Sequence, residues 1–402
     1  MLDKRWNDDI AYAFSIHKLY LEFYGMWPLQ TQTVFTKIRW SFYLIIHFTM
    51  LPFVMMGLIG NSGTNANLES MVYLTSTLSG IIKCICIFLG QKKLGPNINA
   101  AIDDWLSLKD DEIARKIMRK CAHRTRILTI VLLYSAYTCL SIYILSVVVI
   151  NVKQIFFMDS NLVDADTNVT GWKFLIPSGL LSSSITGSQY VMILIVQSIQ
   201  TFLICATQCL VDSFFFNVAT HLAGQLEILK HKFKIFANKR DTETNYRKKF
   251  VDLINRHNEL MEFNQNLEDT FHFLILCQLV MVTIMIALLG LRINLCLNEN
   301  NQFEATKSSL IMNYLLMQSL VYTYSGDFLQ RESEDIFCAL YATSWFTLPV
   351  ALMKDLHFAM MRSSIPFRLT GGKFFYVNRE TIMCIIKTAA SYVSVLRIAL
   401  KN

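Results

Sequence analysis

The sequence predicts an all-α polytopic membrane protein with seven transmembrane helices, a cytoplasmic N-terminus and an extracellular C-terminus. Of its 402 residues, 53% are hydrophobic and only 17% are charged, whereas about 25% of the residues in a soluble domain are charged. Apolar runs of the roughly 20 residues that cross a bilayer recur along the whole chain. Lysine and arginine are concentrated in alternate connecting segments, which indicates the orientation.

The segment before the first span carries an amphipathic pattern that ends at the element Gly-Met-Trp-Pro. Its apolar positions are Tyr12, Ile16, Leu19, Tyr20 and Phe23. This stripe predicts a short interfacial helix that leads into the membrane, and the alternative is a helix that only docks on the bundle. Charged residues precede the first apolar run, so no cleavable signal peptide is expected.

Seven apolar segments have the length of a membrane span. They are Arg39–Gly60, Leu68–Leu89, Ile127–Ile150, Gln189–Asp212, Phe271–Leu291, Ser308–Gly326 and Thr381–Leu400. A shorter apolar stretch, Phe174–Ser188, is interrupted by proline and glycine, and we expect it to dip into the membrane or cap it without crossing. The last span also carries Lys387, Arg397 and several hydroxyl groups. Because polar groups at membrane depth are costly unless they face water or protein, this helix is the best candidate to line a pore.

The orientation follows from the positive charges of the connecting segments. Gln91–Arg126 and Asn217–Leu267 each hold nine lysine or arginine residues, whereas Asn61–Asn67 holds none and Asn151–Ser188 holds two. The positive-inside rule places the two basic segments in the cytosol, and their apolar residues at helical spacing predict helices that extend the spans. The sequon at Asn168 falls in a segment predicted to be external, so Asn168 is a predicted glycosylation site.

The segment Ile336–Leu352 has two possible interpretations. Its seventeen residues contain no charge, which is long enough for an eighth span. Three carboxylates stand directly before it and Pro349 lies within it. These features favour a cytoplasmic helix that packs against partners.

Polar residues outside the last span suggest no catalytic chemistry. The sequence has no Walker loop, HExxH, GxSxG or paired-cysteine motif. We therefore expect no enzyme activity, no cofactor, no metal and no nucleic-acid partner. Most cysteines lie in apolar runs, where they act as small hydrophobic residues; Cys296 is the one predicted in an external loop. Lys83 and Asp212 are predicted near the inner ends of their spans, where their side chains reach the head groups.

The C-terminal part of the chain carries an ordered series of short motifs. The series is Ser333, Tyr341, Trp345, Met361-Arg-Ser-Ser-Ile-Pro366, Leu369-Thr-Gly-Gly372, Phe374 and Ser391-Tyr-Val-Ser-Val-Leu396. Together with seven spans, the internal N-terminus and the Gly-x-Trp-Pro element, it resembles the insect odorant receptor family. The resemblance covers essentially the whole chain.

This resemblance implies the odorant-binding subunit of a ligand-gated, non-selective cation channel, which assembles with the shared olfactory co-receptor as a tetramer. The chain looks like a tuning subunit because the co-receptor has a much longer loop between its fourth and fifth spans. The implied location is the plasma membrane of a sensory neuron, and the implied ligands are small, volatile and hydrophobic. A gustatory-type channel, a seven-helix G-protein-coupled receptor and a secondary transporter are the alternatives.

Three regions with different roles follow from the resemblance. Residues 1–326 would hold spans one to six with the odorant pocket and the cytoplasmic helix extensions, residues 327–380 a cytoplasmic anchor for subunit assembly, and residues 381–402 the pore-lining helix. In the anchor, Tyr341, Trp345 and Phe346 are typical of a protein interface. The alternative for these aromatic residues is packing within the chain.

The resemblance places the odorant pocket among spans two, three, four and six, in their outer half. The residues expected at that depth are Val72, Tyr73, Thr75, Ser141, Ile144, Leu145, Tyr190, Ile193, Gln197, Ile311, Tyr314 and Gln318. Tyr314 is the strongest single candidate, because an aromatic ring with a hydroxyl supplies both contact area and a directional hydrogen bond. Ordinary helix packing is the alternative for each residue.

On the last helix, Thr388, Ser391, Val395 and Ala399 are spaced three, four and four residues apart and share one face. We expect this face to line the pore, with Val395 as a hydrophobic constriction that gates by dewetting. Alternatively, the hydroxyls only bond to preceding carbonyls. The positive charge of Lys387 fits a cation pore only if it points away or if the co-receptor carries most of the conduction.

Overall fold

Long α-helices make up nearly all of the computed structural model, which describes residues 5–60, 63–158, 172–176, 187–238, 243–343 and 345–399. The helices are α1 (Asp8–Phe23), α2 (Val34–Gly60), α3 (Thr64–Ser107), α4 (Glu112–Met158), α5 (Gly187–Asn238), α6 (Glu243–Asn298), α7 (Gln302–Tyr341), α8 (Val350–Ser363) and α9 (Arg379–Ala399). The strands β1 (Thr370–Gly371) and β2 (Phe375–Tyr376) form an antiparallel hairpin in which Thr370 pairs with Tyr376.

Helices α3 to α6 are much longer than a membrane span. They contain between 44 and 56 residues. At 1.5 Å per residue, even the shortest is about 66 Å long, more than twice the roughly 30 Å of the hydrocarbon core. Each therefore combines a span with an extension, which confirms that the basic segments are helical continuations of the spans.

The spans differ in how apolar they are. Helices α2 to α6 are long and apolar enough to cross a membrane. The predicted sixth and seventh spans, on α7 and α9, are more polar, and on α7 the polar side chains Gln318, Ser319 and Thr323 are buried. They face protein and not the surroundings, which is how a polar helix is tolerated at membrane depth.

Helix α1 packs on the bundle with a face other than the predicted stripe. Its Asn7 cap accepts a hydrogen bond from the Ile10 backbone N–H at 2.9 Å, and Ile10, Phe14 and Leu21 are buried in the main core. Most of the predicted stripe is exposed, namely Tyr12, Leu19, Tyr20 and Phe23. The helix thus has two apolar faces, one docked on α4 and α5 and one left open.

The predicted position of Lys83 and Asp212 at the membrane surface is wrong. The Lys83 Nζ lies 2.6 Å from Asp212 Oδ1, and each side chain is only 1% exposed. Asp212 also accepts hydrogen bonds from the Gln318 side-chain amide at 2.5 Å and from the Tyr322 hydroxyl. The pair lies inside the bundle because α3, α5 and α7 meet there, so each charge finds a partner in a neighbouring helix and not in the head groups.

The segment Ile336–Leu352 is not one helix, so the alternative of an eighth span is wrong. Helix α7 ends at Tyr341, a short 3₁₀ turn occupies Trp345–Thr347, and α8 begins at Val350 directly after Pro349. Proline is well tolerated at a helix start but not in its interior. The preferred interpretation, a single cytoplasmic helix, also needs correction, because the segment contains the end of one helix and the start of another.

The motif residues between α8 and α9 attach this part of the chain to α6 and α7. The Ser333 Oγ on α7 accepts a hydrogen bond from the Phe367 backbone N–H at 2.9 Å. The Thr370 N–H donates to Glu268 on α6 at 2.9 Å, and the Gly372 N–H donates to the His272 carbonyl at 2.7 Å. Gly372 has a φ of +62°, a conformation that glycine adopts at little cost. These motif residues therefore hold the segment between α8 and α9 against α6 and α7.

Candidate functional site

An apolar cavity of about 160 Å³ lies between five helices. Helix α3 contributes Val72 and Tyr73, and α7 contributes Ile311 and Tyr314. The rest of the wall comes from α4, α5 and α6, mainly through Leu140, Tyr143, Thr201, Cys205, Leu289 and Arg292. Such a cavity, mostly apolar with a few polar groups, is typical of a site for a small organic ligand.

Tyr314 is held in this wall by a thiol. Its hydroxyl lies 3.3 Å from the Sγ of Cys209 on α5. The Sγ of Cys209 is also 3.8 Å from the Leu132 carbonyl on α4. The rings of Tyr73 and Tyr143, which also line the cavity, meet edge to face with their centres 6.0 Å apart, an arrangement that aromatic pairs prefer. The aromatic wall is therefore fixed by contacts among four helices, α3, α4, α5 and α7.

A second, polar cavity of about 370 Å³ adjoins the apolar one. The two share Glu69, Tyr143 and Arg292 in their walls. The Arg292 guanidinium donates to Glu69 at 2.8 Å and to Glu304 at 2.9 Å, and Glu304 also pairs with Lys307 at 2.7 Å. The wall between the cavities is thus a compact, charge-balanced network.

Residues 172–176, which precede α5 in the chain, lie over this region. The Asn151 side chain on α4 donates to the Lys173 carbonyl at 2.8 Å and accepts from the Lys173 N–H at 2.9 Å. Its amide also donates to the Tyr190 hydroxyl at 2.6 Å. Phe174 and Leu175 are buried, so the part of Phe174–Ser188 that the structure describes caps the bundle.

Four of the twelve predicted pocket residues line the apolar cavity, and the other eight lie elsewhere. The four are Val72, Tyr73, Ile311 and Tyr314. Thr75 and Ser141 donate hydrogen bonds to carbonyls of their own helices. Gln318 belongs to the Asp212 network, one turn along α7 from Tyr314.

The remaining predicted pocket residues have other surroundings. Ile144 packs beside Tyr143 and Leu175, and Leu145 is exposed on the outside of α4. Tyr190 bonds to Asn151, Ile193 is partly buried, and the Gln197 amide oxygen accepts from the Ile176 N–H at 3.4 Å.

Sequence reasoning missed the charged residues of the shared wall, Glu69, Arg292, Glu304 and Lys307. Their one sequence signal is the spacing of three between Glu304 and Lys307, which fits a pair on one helix. Arg292 follows directly after a predicted span, so the sequence alone does not distinguish it from an ordinary charge that flanks a span. Cys296, predicted in an external loop, lies instead in the last turn of α6 and is buried, because the helix continues beyond the apolar run.

Helix α9 packs on α6 along one narrow face. Ile385 and Ala389 are buried, and Val393 lies so close to Gly290 that a Cβ at Gly290 would be 2.8 Å from its Cγ2. Of the predicted pore face, Thr388 is half-buried and Ser391 is exposed. Val395 is 63% exposed, and the side chain of Ala399 lies outside the described residues. Lys387 is exposed as well.

The predicted assembly residues are on the surface of the single chain. Tyr341 and Trp345 are exposed, and Phe346 is 70% exposed. Tyr341 and Trp345 border a largely apolar groove of about 550 Å³ formed with α8. Exposed apolar patches of this kind mark interaction sites.

The same region is tied to α5 by an ion pair. The Lys230 Nζ lies 2.5 Å from Glu332 and 3.0 Å from Asp335 on α7. Burial alone would lower the pKa of Lys230, but the hydrogen bonds and charges of the two carboxylates raise that pKa above its ordinary value. The ammonium group therefore remains charged and fixes α5 to α7.

Among the described residues, no group of three or more His, Cys, Asp or Glu side chains is placed to hold a metal ion. All ten cysteines are free thiols. Asn168, the predicted glycosylation site, lies outside the described residues.

The fold is that of a seven-helix insect olfactory receptor. It matches the structure of the olfactory receptor OR5 from Machilis hrabei in complex with eugenol with a TM-score of 0.81, at 12% sequence identity, over 98% of this chain and 100% of that one. The family model described as 7tm Odorant receptor matches residues 64–390. The chain belongs to this odorant receptor family, which confirms the resemblance inferred from the sequence.

Curated relatives agree with this assignment. Odorant receptor 13a of Drosophila melanogaster is 24% identical over 420 residues, which covers 96% of each chain. Odorant receptor 10 of Aedes albopictus is 22% identical over 381 residues, covering 89% of this chain and 94% of that one. In each of these two comparisons the similarity therefore extends over nearly the whole length of this chain and of the relative.

Proposed function

We propose that this chain is the odorant-binding subunit of a ligand-gated, non-selective cation channel in the plasma membrane. The apolar cavity between α3, α4, α5, α6 and α7 is the observation that carries this function. Its volume of about 160 Å³ is close to that of the roughly 150 Å³ cavity that binds benzene in an engineered protein. The relative of the same fold binds eugenol, a molecule with one aromatic ring. A small, volatile, hydrophobic ligand suits such a space.

Tyr314 is the proposed anchor of the ligand, with Val72, Tyr73 and Ile311 as the apolar wall. Full burial of a large apolar side chain contributes about 1.5–3 kcal/mol, and a ligand of one ring in the same surroundings gains a comparable amount. The hydroxyl of Tyr314 adds a directional contact.

The proposed channel is a tetramer with the olfactory co-receptor. Residues 327–380 form the assembly anchor, in which Tyr341, Trp345 and Phe346 are exposed apolar side chains in a region proposed to lie in the cytosol, so a partner subunit would cover them. Only residues 239–242 separate α5 from α6. This short connection supports a tuning subunit and not the co-receptor.

The proposed pore face is that of Thr388, Ser391, Val395 and Ala399 in residues 381–402. Its support is the exposure of Ser391 and Val395 on the single chain, on a helix whose other face packs on α6. The exposed Val395 side chains of the copies of this chain in the tetramer would help to close a narrow pore by excluding water. The exposed Lys387 fits this pore if its side chain points away from the pore axis or if the co-receptor carries most of the conduction.

The proposed topology has a cytoplasmic N-terminus and an extracellular C-terminus, with residues 1–326 containing spans one to six. Glycosylation mapping tests it, because modification of Asn168 in cells requires this segment to be outside. Loss of the glycan shift in Asn168→Gln confirms the site. If a glycan were attached instead at a sequon introduced near residue 240, that result would contradict the proposed orientation.

The test of the function is odour-evoked current from cells that express this chain with the co-receptor. Currents should require both subunits. Tyr314→Ala should raise the half-maximal odorant concentration by about 10- to 100-fold, the equivalent of the 1.5–3 kcal/mol above. The matched control is Tyr134→Ala on α4, whose exposed side chain does not line the cavity. Equal effects of the two variants, or currents without the co-receptor, would contradict the proposal.

A further inference from the structure

Arg292 occupies an unusual place in the wall between the two cavities. It borders both the apolar cavity and the polar one, yet the residue is only 3% exposed. Arginine is rarely buried to this extent unless its donors are used. The cost of burying Arg292 therefore depends on which of its N–H groups have acceptors.

Four of the five N–H donors of the guanidinium belong to the two η nitrogens, and both of these nitrogens donate hydrogen bonds. Nη1 donates to the Ser308 Oγ at 2.8 Å, and Nη2 donates to Glu69 at 2.8 Å and Glu304 at 2.9 Å. The Nε–H is buried and has no hydrogen-bond partner within the part of the chain that the structure describes. A buried donor without an acceptor is costly, and most such groups in native proteins have a partner.

The network around Arg292 leaves no net charge for a ligand to neutralise. Two cations, Arg292 and Lys307, face two carboxylates, Glu69 and Glu304. An acid in the cavity would meet these carboxylates, and an amine would meet the two cations. A charged ligand of either sign would lose its hydration on entering the cavity. No unpaired group of opposite charge in the network would compensate for that loss.

We propose that Arg292 is a specificity-determining residue whose Nε–H donates a hydrogen bond to a neutral ligand with an oxygen acceptor, such as a carbonyl. This inference rests on the proposed function and names the ligand class of the same cavity. The apolar part of the ligand occupies the 160 Å³ cavity beside Val72, Ile311 and Tyr314. Its oxygen lies at the wall that the apolar and polar cavities share.

Matched pairs of volatile compounds test the acceptor directly. Acetophenone and α-methylstyrene have the same size and shape and differ in one group, a carbonyl oxygen in place of a methylene, as do benzaldehyde and styrene. A hydrogen bond from a charged donor is worth about a 10- to 100-fold change in affinity. The carbonyl member of each pair should open the channel at concentrations lower by this factor, while benzoic acid and benzylamine should be inactive.

The variant Arg292→Lys separates ligand recognition from structure. Lysine keeps the positive charge beside Glu69 and Glu304 but lacks the Nε–H of the guanidinium. It should remove the preference for the carbonyl member, so that the two members of each pair become equally potent. The control is Arg256→Lys on the same helix, which pairs with Asp104 and does not line either cavity. Surface expression of both variants is measured alongside.

The outcomes separate this inference from the proposed function. Equal potency within the pairs, an equal loss for both members in Arg292→Lys, or activation by acids, amines or pure hydrocarbons but by no carbonyl compound would overturn the role of Arg292. Silence toward every odorant in the presence of the co-receptor would overturn the proposed function instead. Retained carbonyl preference in Arg256→Lys and its loss in Arg292→Lys support the inference.

Discussion

Replacing Lys83 by methionine should destabilise the folded chain by about 3 kcal/mol. The Nζ of Lys83 is 2.6 Å from Asp212, and both side chains are almost completely buried. Removing one partner of a buried ion pair typically costs about 3–5 kcal/mol, because the other charge is left unpaired. Gln318 and Tyr322 still donate to the carboxylate, and for this reason we expect the lower end of the range.

The double variant Lys83→Met/Asp212→Asn distinguishes an ion pair from simple packing. It removes both charges, and the asparagine oxygen still accepts from the Tyr322 hydroxyl. Replacing a buried pair by neutral groups of similar volume is often close to neutral. We therefore expect the double variant to lose about 1 kcal/mol, far less than the sum of the two single losses.

The measurement is the fraction of fluorescently tagged protein that remains monodisperse in detergent after heating. Because membrane proteins often unfold irreversibly, the half-life at a fixed temperature is the useful quantity. A loss of 3 kcal/mol shortens it by up to about 100-fold if all of it lowers the unfolding barrier. Lys92→Met, at an exposed lysine of the same helix, is the control. A single variant as stable as the wild type, or a double variant less stable than either single one, would refute this reasoning.

Three further predictions concern the C-terminal half. Ser333→Ala should cost about 1–3 kcal/mol, because the buried Phe367 N–H loses its acceptor; the same heating assay checks it, and an unchanged half-life contradicts it. Burial and the nearby Arg362 lower the pKa of His257 to about 4. Since the unfolded chain takes up this proton near pH 6.5, up to about 3 kcal/mol of stability should be lost as the pH falls from 6.5 to 4, and His257→Phe should flatten that dependence. Val395→Ala should raise the basal current through a widened constriction, and unaltered currents at normal surface expression would count against the gate.

The helices could be predicted from the sequence because their signals are local. A run of apolar residues identifies a span, and the positive charges beside it identify the extension, so each element depends only on its own residues. The break between α7 and α8 was harder to predict. Ile336–Leu352 contains no charge, and only Pro349 indicates that the backbone changes direction.

The site could be predicted only in part, because its contacts join distant parts of the chain. Arg292 and Glu69 are 223 residues apart, and each alone reads as a charge at the end of a span. Lys83 and Asp212 were predicted at the membrane surface for the same reason. A charged side chain near the end of a span can usually reach the lipid head groups. On helix α1 both faces are apolar, so periodicity alone does not indicate which face packs on the bundle. The stripe predicted to be interfacial is largely exposed on the chain.

The polarity of α7 follows from its position between these two charge networks. Near its N-terminus Glu304, Lys307 and Ser308 join the Arg292 network, and further along Gln318 and Tyr322 bind Asp212. These residues make α7 too polar to qualify as a span by composition. Their partners on α3, α5 and α6 satisfy them, so the cost of burying them falls. Ile311 and Tyr314 lie between the two networks, where α7 contributes to the apolar cavity. Helix α7, which is not among the five helices apolar enough to cross a membrane by composition, therefore still contributes to the wall of the proposed binding site.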